Sequence, residues 1–187
     1  TPGHWQNATQ DPWGPEQEPK WVPATNAVPN YDAYQAAMEK YNRASHLADE
    51  VARVWRGATG RGDPHIAAAL AGADTAISAE RMRAALAGAT EKDLLARFEH
   101  FFNESAQIVP SAGDALAAGD LAAFGRLVDL SQKLAEGRLG NQVPETVLLA
   151  RAARELGAAA ASSFGAGFGG SVWALVRRDD AERLLIA

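Results

Sequence analysis

A cluster of glycines constrains the C-terminal part of this chain more than any other feature. The segment SSFGAGFGGSVWALV, residues 162–176, contains four glycines within six positions and then becomes apolar. Gly165, Gly167 and Gly170 fit the spacing G-x-G-x-x-G, which in dinucleotide-binding folds stands between a strand and a helix. Here the next residues are Ser-Val-Trp-Ala-Leu-Val, whose side chains are typical of a strand. The segment therefore predicts a strand, a glycine loop and a second strand, and it argues against a dinucleotide site.

The number of glycines in this loop leaves two interpretations open. Glycine adopts positive φ easily and has no Cβ to obstruct a neighbouring group. One or two glycines would be enough for a tight connection between two strands. Four glycines favour a loop that something else approaches closely, either a ligand or another loop, over a purely conformational role.

Length and composition limit the classes of function. The 187 residues are enough for one domain with a hydrophobic core or for part of a larger protein. The net charge of -5 argues against a nucleic-acid partner, and the absence of cysteine excludes disulfides and thiolate chemistry. No apolar run approaches the roughly 20 residues that cross a membrane, and TPGHWQNATQ does not resemble a signal peptide. We therefore expect a cytoplasmic location and no membrane partner.

The N-terminal region differs from the rest of the chain. The first 30 residues hold six of the nine prolines and three of the five tryptophans. Because proline removes a backbone donor and restricts the residue before it, DPWGPEQEP cannot form a helix. We predict that residues 1–19 are a partly irregular segment held by its tryptophans, with a disordered arm as the alternative. A short edge strand is predicted over 21–27.

From Tyr31 onward, apolar residues recur at helical spacing, and the predicted fold class is α+β, mostly helix with a small antiparallel sheet. The first predicted helix runs from Tyr31, with Asn30 as its cap, to Gly57–Gly60, and a short second helix begins with Asp63 as N-cap and Pro64 as its first residue. A third helix is predicted over SAERMRAALAG, and a fourth begins at its cap Thr90 and is interrupted by Pro110. The last two helices are predicted after the cap Asp120 and from Pro144 to Gly157. The predicted inward-facing residues of two of these helices are Leu94, Leu95, Phe98, Phe101, Phe102, Ile108, Leu121, Phe124, Leu127 and Val128. Further strands are predicted over 158–163 and 171–177.

Residues that could bind metals or act as acids and bases form no convincing pattern. The four histidines, His4, His46, His65 and His100, lack the spacing of metal ligands. We expect them to be surface residues or helix residues with satisfied hydrogen bonds, and we predict no metal site. Lone carboxylates on helices, such as Asp49 and Glu104, are expected to be solvated. No Ser-His-Asp arrangement is readable.

Several segments resemble galactokinase, a family of the GHMP kinase superfamily. FGAGFGGSVWALV resembles its third motif, T-G-A-G-F-G-G-C. GDLAAFGRLVDLSQKL resembles G-D-x-x-x-F-G-x-L-M-x-x-S-H-x-S-L, VPETVLLARAARE occupies the place of the C-P-E-L-D helix, and FEHFFNE resembles A-R-H-V-V-x-E. WVPATNAV and EKYNRASHLADEV resemble the T-N-S-x-V strand and the E-Y-x-x-R-R helix. The order is the family's, and the resemblance predicts a truncated GHMP-kinase C-terminal-like domain over 20–187.

The resemblance implies a kinase of which only the C-terminal part is present. The first motif, with its sugar-binding side chains, and the P-x-G-x-G-L-S-S-S-A loop for the ATP phosphates are missing, and the catalytic aspartate belongs to that missing portion. The intact enzyme would use ATP and Mg²⁺ to phosphorylate the anomeric hydroxyl of galactose or a related monosaccharide. The implied partners are that sugar, ATP and an N-terminal kinase portion. We expect the chain alone to be inactive; the alternative is a non-catalytic sugar-binding or regulatory module derived from such a kinase.

The resemblance also implies site residues, and it contains departures. Tyr41 matches a tyrosine that contacts the sugar, although its spacing from Met38 and Ala44 also fits a core tyrosine. The residues implied to lie near the phosphate and the sugar are Phe164, Gly165, Ala166, Gly167, Phe168, Gly169, Gly170 and Ser171. The departures from the family pattern are Phe164 for Thr or Ser, Gln132 for His, Val147 for Asp and Glu99 for Arg.

Overall fold

The computed structural model describes residues 4–6, 20–22, 31–72, 74–89, 91, 93–165, 167–169 and 171–182. The chain divides into two compact units, residues 1–39 and residues 40–187. The first unit contains strands β1 (His4–Gln6) and β2 (Lys20–Val22), which pair antiparallel with Trp5 opposite Trp21. The sequence did not predict β1. The strand predicted over 21–27 begins one residue earlier, at Lys20, and residues 23–27 lie outside the described residues.

Helix α1 (Tyr31–Thr59) is the longest element and ends where the sequence predicts. Gly60 follows it with a φ of +69°, a conformation that glycine adopts at little cost. The predicted cap, Asn30, lies outside the described residues. The C-terminal part of α1 buries Val51 and Trp55 almost completely.

The sequence predicted that Asp63 caps the next helix, and this prediction is wrong. Helix α2 (Ile66–Leu70) begins after His65, whose Nδ1 accepts a hydrogen bond from the Ala68 N–H at 3.1 Å. The Asp63 carboxylate instead accepts a 2.7 Å hydrogen bond from Trp55 Nε1 and contacts Arg61 at 2.7 Å, and these partners lower its pKa. A buried indole needs an acceptor for its one N–H, and the Asp63 carboxylate supplies that acceptor instead of capping the helix.

A first core lies among α1, α2, α3 (Thr75–Ala87) and α4 (Asp93–Asn103). Its buried residues are Val51, Trp55, Ile66, Ala69, Leu70, Ala79, Met82, Leu86, Leu94 and Phe98. Of the residues predicted to face inward from α4, Leu94 and Phe98 are buried, whereas Leu95 is exposed. The predicted cap Thr90 lies outside the described residues. None of the helices in the described part of the chain is long and apolar enough to span a membrane.

Pro110 does not interrupt the helix after α4, which corrects the prediction. The chain continues from α4 through a π-helical turn (Glu104–Ile108) into α5 (Val109–Ala117). The Val109 N–H donates to the carbonyl of Glu104, five residues earlier. The spacing between donor and acceptor therefore increases from the four residues of an α-helix to five just before the proline. The missing N–H of Pro110 therefore falls where the pattern changes, and the helix continues without a break.

The C-terminal part places two helices beside a two-stranded sheet. Asp120 caps α6 (Leu121–Leu134) as predicted, its Oδ1 accepting from the Ala123 N–H at 2.8 Å. A π-helical turn (Ala135–Leu139) and α7 (Pro144–Glu155) follow. Strands β3 (Ala160–Ser163) and β4 (Val172–Leu175) then pair antiparallel, which confirms the predicted strand, glycine loop and strand. Val128 is buried as predicted, but Leu121, at the start of α6, is exposed.

Gly125 in α6 lies where the helix approaches the start of β3. A Cβ at this position would overlap the Ala159 carbonyl oxygen. That oxygen accepts from Arg154 Nη1 at 2.7 Å, and the Ala159 N–H donates to Leu175 at 2.7 Å, so the backbone there is held on both sides. We expect Gly125→Ala to lower the free energy of unfolding by about 1–3 kcal/mol through overpacking.

Gly113→Ala in α5 is the matched control for this prediction, because a Cβ there would meet nothing within 4 Å. Alanine favours a helix over glycine by about 1 kcal/mol, so Gly113→Ala should be neutral or stabilising. Both variants can be measured by urea unfolding monitored by circular dichroism. Equal effects of the two substitutions would show that α6 does not approach β3 this closely.

Candidate functional site

The loop between β3 and β4 takes a backbone course that needs glycine. Gly165, Gly167 and Gly169 have φ values of +78°, +82° and +111°. Phe168 has a φ of +45° and is the only non-glycine residue with positive φ in the described part of the chain. The Phe164 N–H donates to the Ser171 carbonyl at 2.8 Å and closes the loop. Ala166 and Gly170 lie outside the described residues.

The close approach predicted for this loop occurs at Gly167, and the neighbour is another loop of the same chain. Gly167 is buried, and a Cβ on it would overlap the backbone oxygen and the side chain of Asn141. The Phe168 N–H donates a hydrogen bond to that same Asn141 oxygen. A Cβ on Gly165 or Gly169 would meet nothing within 4 Å, so at these two positions only the positive φ requires glycine.

A buried glutamine joins β3 to the helices beneath the loop. The Oε1 of Gln132, which is only 7% exposed, accepts from Ser162 Oγ at 2.8 Å and from the Ser163 N–H at 3.1 Å. Its Nε2 donates to Gln142 at 3.1 Å and to Glu136 at 3.2 Å. Gln132 thus fixes the start of the glycine loop, in the place where the family pattern has histidine.

The other departures from the family pattern lie in three different settings. Glu99 forms an ion pair with Arg83 at 2.5 Å, and the Arg83 guanidinium lies 5.0 Å from the centroid of the Phe102 ring. Phe164 is exposed at the start of the glycine loop, and Val147 faces a cleft between α6 and α7. Glu99 therefore has a partner within this chain.

Tyr41 and the glycine loop face the same cavity, of about 400 Å³. Tyr41 is 51% exposed, so it is not the core tyrosine that its spacing also allowed. The cavity is lined by residues of α1, of α4, of the segment after α6 and of the loop, namely Tyr41, Ala44, Ser45, Ala48, Asp49, Arg97, Leu139, Asn141, Gly165 and Phe168. It offers a phenol, a hydroxyl, a carboxylate and an amide, which together can donate to and accept from a polyhydroxylated ligand.

A second cavity, of about 200 Å³, shares Ala44, Arg97, Leu139 and Phe168 with the first. Its remaining lining residues are Lys40, Arg43, Leu47, Asp93, Arg138 and Gly140. We call it the cationic cavity, because four of its side chains carry positive charge. Sequence reasoning missed it, since the four cations come from three separate parts of the chain.

His100 and Glu104 depart from the predictions, which were a histidine at the surface or with satisfied hydrogen bonds and a solvated carboxylate. His100 Nδ1 and Glu104 Oε1 are buried and have no hydrogen-bond partner among the described residues. Burial, together with the charge of Arg97, lowers the pKa of His100 to about 4. His100 is therefore neutral near pH 7 and opposes folding when it is protonated.

The His100 shift predicts a loss of stability in mild acid. The unfolded chain takes up the proton near pH 6.5 and the folded chain only near pH 4, so the contribution of His100 is complete above pH 6.5 and is lost as the pH falls toward 4. Since one pKa unit corresponds to about 1.4 kcal/mol and His100 is only partly buried, we expect a loss of about 1–2 kcal/mol. Urea unfolding of the wild type and of His100→Gln between pH 7 and pH 4.5 tests this. An equal loss in the free energy of unfolding for the wild type and for His100→Gln over this pH range would contradict the prediction.

Comparison with known proteins agrees with this architecture. Residues 114–185 match the family model of the GHMP kinase C-terminal domain. The structure is similar to galactokinase from Lactococcus lactis, solved in complex with galactose, with a TM-score of 0.60 and 20% sequence identity over 89% of this chain. No curated protein sequence matches the chain significantly. Residues 114–185 therefore resemble a GHMP kinase C-terminal domain, and the predicted family resemblance and fold class are confirmed. The chain spans 42% of the length of that galactokinase.

Proposed function

We propose that this chain is the C-terminal part of an ATP-dependent sugar kinase resembling galactokinase, which phosphorylates the anomeric hydroxyl of galactose or a related monosaccharide. The observation that supports this is the meeting of Tyr41 with Gly165 and Phe168 at one cavity. Its volume of about 400 Å³ lies in the usual range for small-ligand sites, about 300–1,000 Å³. The test is galactose-dependent release of ADP by the full-length protein.

In this proposal the chain positions the sugar. The Tyr41 hydroxyl and the Ser45 hydroxyl line this cavity, which we call the sugar cavity, and they are available to bind sugar hydroxyls. Asn141 lines the same cavity. Phe168 covers the cavity on one side, and its backbone is held by the hydrogen bond to Asn141. Phosphoryl transfer depends mainly on such positioning and on charge stabilisation, so a rigid wall beside the acceptor hydroxyl contributes directly.

ATP, Mg²⁺ and the catalytic base are assigned to the N-terminal portion of the kinase. Mg²⁺, when bound with ATP, neutralises charge on the β- and γ-phosphates. The described residues contain no group of three His, Asp or Glu side chains that could hold a metal ion by themselves. The anomeric oxygen would attack the γ-phosphorus, its proton would pass to a base in that portion, and ADP would leave.

A non-catalytic sugar-binding module is the second candidate. It is favoured by the fact that all residues lining the sugar cavity belong to one compact unit, residues 40–187. Isothermal titration of the 187-residue chain with galactose and with ATP separates the two candidates. Micromolar binding of galactose would favour the module, and its absence would favour a part of a kinase.

Tyr41→Phe should weaken the use of sugar more than the use of ATP. The substitution removes one neutral hydrogen bond, worth about 0.5–1.5 kcal/mol, so we expect a roughly 2- to 10-fold rise in KM for galactose. The KM for ATP, measured on the same full-length variant, is the internal control. A change in the KM for ATP without one for galactose would mean that Tyr41 does not contact the sugar.

A further inference from the structure

We propose that the cationic cavity binds a negatively charged substituent of the sugar, so that the substrate is an acidic monosaccharide such as a hexuronate. The proposal deepens the proposed sugar-kinase function and rests on it. It depends on Arg97, which lines both cavities, and on Lys40 and Arg138, which line the cationic cavity beside it.

Arg97 carries a partly buried positive charge that has no carboxylate partner among the described residues. Its Nε donates to the carbonyl of Ala44 at 3.0 Å, and no carboxylate of the described residues forms an ion pair with it. Burial lowers the pKa of Arg97, and its charge contributes to the low pKa of His100. An unpaired charge away from water is unfavourable, and an anion beside it would remove that cost.

The charges around Arg97 leave the cationic cavity positive. Arg43 is held by Asp93 at 2.6 Å and by Glu91 at 3.2 Å. Lys40 and Arg138 are exposed and form no ion pair within the described part of the chain. Four cations and two carboxylates therefore give an excess of two positive charges, although the chain as a whole has a net charge of -5.

The shared wall between the two cavities connects this charge to the sugar. Ala44, Arg97, Leu139 and Phe168 line both, so a ring bound beside Tyr41 would carry its substituents toward the Arg97 guanidinium. Guanidinium groups bind carboxylates and phosphates with paired hydrogen bonds. A neutral sugar would bring no negatively charged group to Arg97. A phosphate of ATP has the same chemistry, and the experiment must distinguish these two sources.

The experiment titrates the 187-residue chain with D-galacturonate, D-galactose and ATP, following binding by NMR at low ionic strength, where charge interactions are least screened. The cavity variant is the double substitution Lys40→Gln and Arg138→Gln, at two exposed positions. The matched control is Arg81→Gln with Arg126→Gln, which removes two exposed charges that line neither cavity. We expect galacturonate to bind about tenfold more tightly than galactose, and the cavity variant but not the control to abolish this difference.

Four results would overturn the proposal: no binding of galacturonate, equal binding of galacturonate and galactose, an equal effect of the control variant, or a cavity variant that weakens only ATP. In the last case the cavity serves the nucleotide. A separate assay of ADP release by the full-length protein tests the proposed function itself. Phosphorylation of galactose without a preference for galacturonate would refute the acidic substrate alone. Charge-dependent binding of galacturonate with no phosphorylation of any sugar would support the anion site and refute the kinase.

Discussion

The 187-residue chain on its own is expected to release no ADP in the presence of ATP and galactose. Its sequence contains no recognisable phosphate loop, and no residue in it is a recognisable catalytic base. Holding reactants in place can supply about 7–11 kcal/mol of the barrier reduction in an enzyme, and in the proposed kinase this chain positions only the sugar. We therefore expect a rate at least about 10⁵-fold below the values of 1–10³ s⁻¹ common for enzymes.

A coupled assay for ADP tests this, with the full-length protein as the positive control and a reaction without sugar as the blank. Galactose-dependent turnover by the chain alone, at about 1 s⁻¹ or faster, would contradict the prediction. It would mean that the residues binding the ATP phosphates lie within these 187 positions. If neither the chain nor the full-length protein releases ADP, the result would instead count against the proposed kinase.

The sequence predicted the features that depend on neighbouring residues. The β-branched and aromatic residues after Gly170 distinguished a strand from a helix, and β4 is a strand. The Asp120 side chain reaches the N–H of Ala123, three residues on, so the cap could be inferred from the local pattern alone. Glycines with a positive φ followed from their clustering, because a loop of alternating glycines suits few other conformations.

Features set by distant contacts could not be predicted. Asp63 was expected to cap a helix because it precedes a proline, but the buried indole of Trp55 binds its carboxylate. Pro110 was expected to stop a helix, and a π turn accommodates it. Local patterns do not contain the neighbours that decide these outcomes.

The candidate site shows the same limit. Tyr41 and the glycine loop were proposed separately, each on its own motif, and the fold brings them to one cavity. The cationic cavity had no such signal, because Arg97 and Arg138 are 41 positions apart and neither belongs to a motif. His100 is an ordinary helical histidine in the sequence, and only the packed structure shows that its Nδ1 is buried without a partner.

Gly167→Ala should have the largest effect among the three glycines of this loop that the structure describes. The new methyl group would overlap the backbone oxygen of Asn141, and the residue would be held at a φ of +82°. Strain at positive φ costs about 1–2 kcal/mol and overpacking a further 1–3 kcal/mol. Because a chain of 150–250 residues loses about 2–4 °C in Tm per kcal/mol, the Tm should fall by roughly 5–15 °C.

Gly169→Ala is the matched control, and the comparison separates conformation from close approach. Gly169 has a φ of +111°, but a Cβ there would meet nothing within 4 Å, so it should lose only the strain of about 1–2 kcal/mol. If the loop moves at Gly167, the neighbouring Phe168 moves in the sugar cavity. In the proposed full-length kinase, a shift of about 1 Å should lower turnover per folded molecule about 100-fold. Gly169→Ala should reduce turnover far less, because no neighbouring group has to move. Equal losses of Tm for the two variants, with turnover unchanged in both, would leave the glycines a conformational role only and would remove the loop from the proposed sugar site.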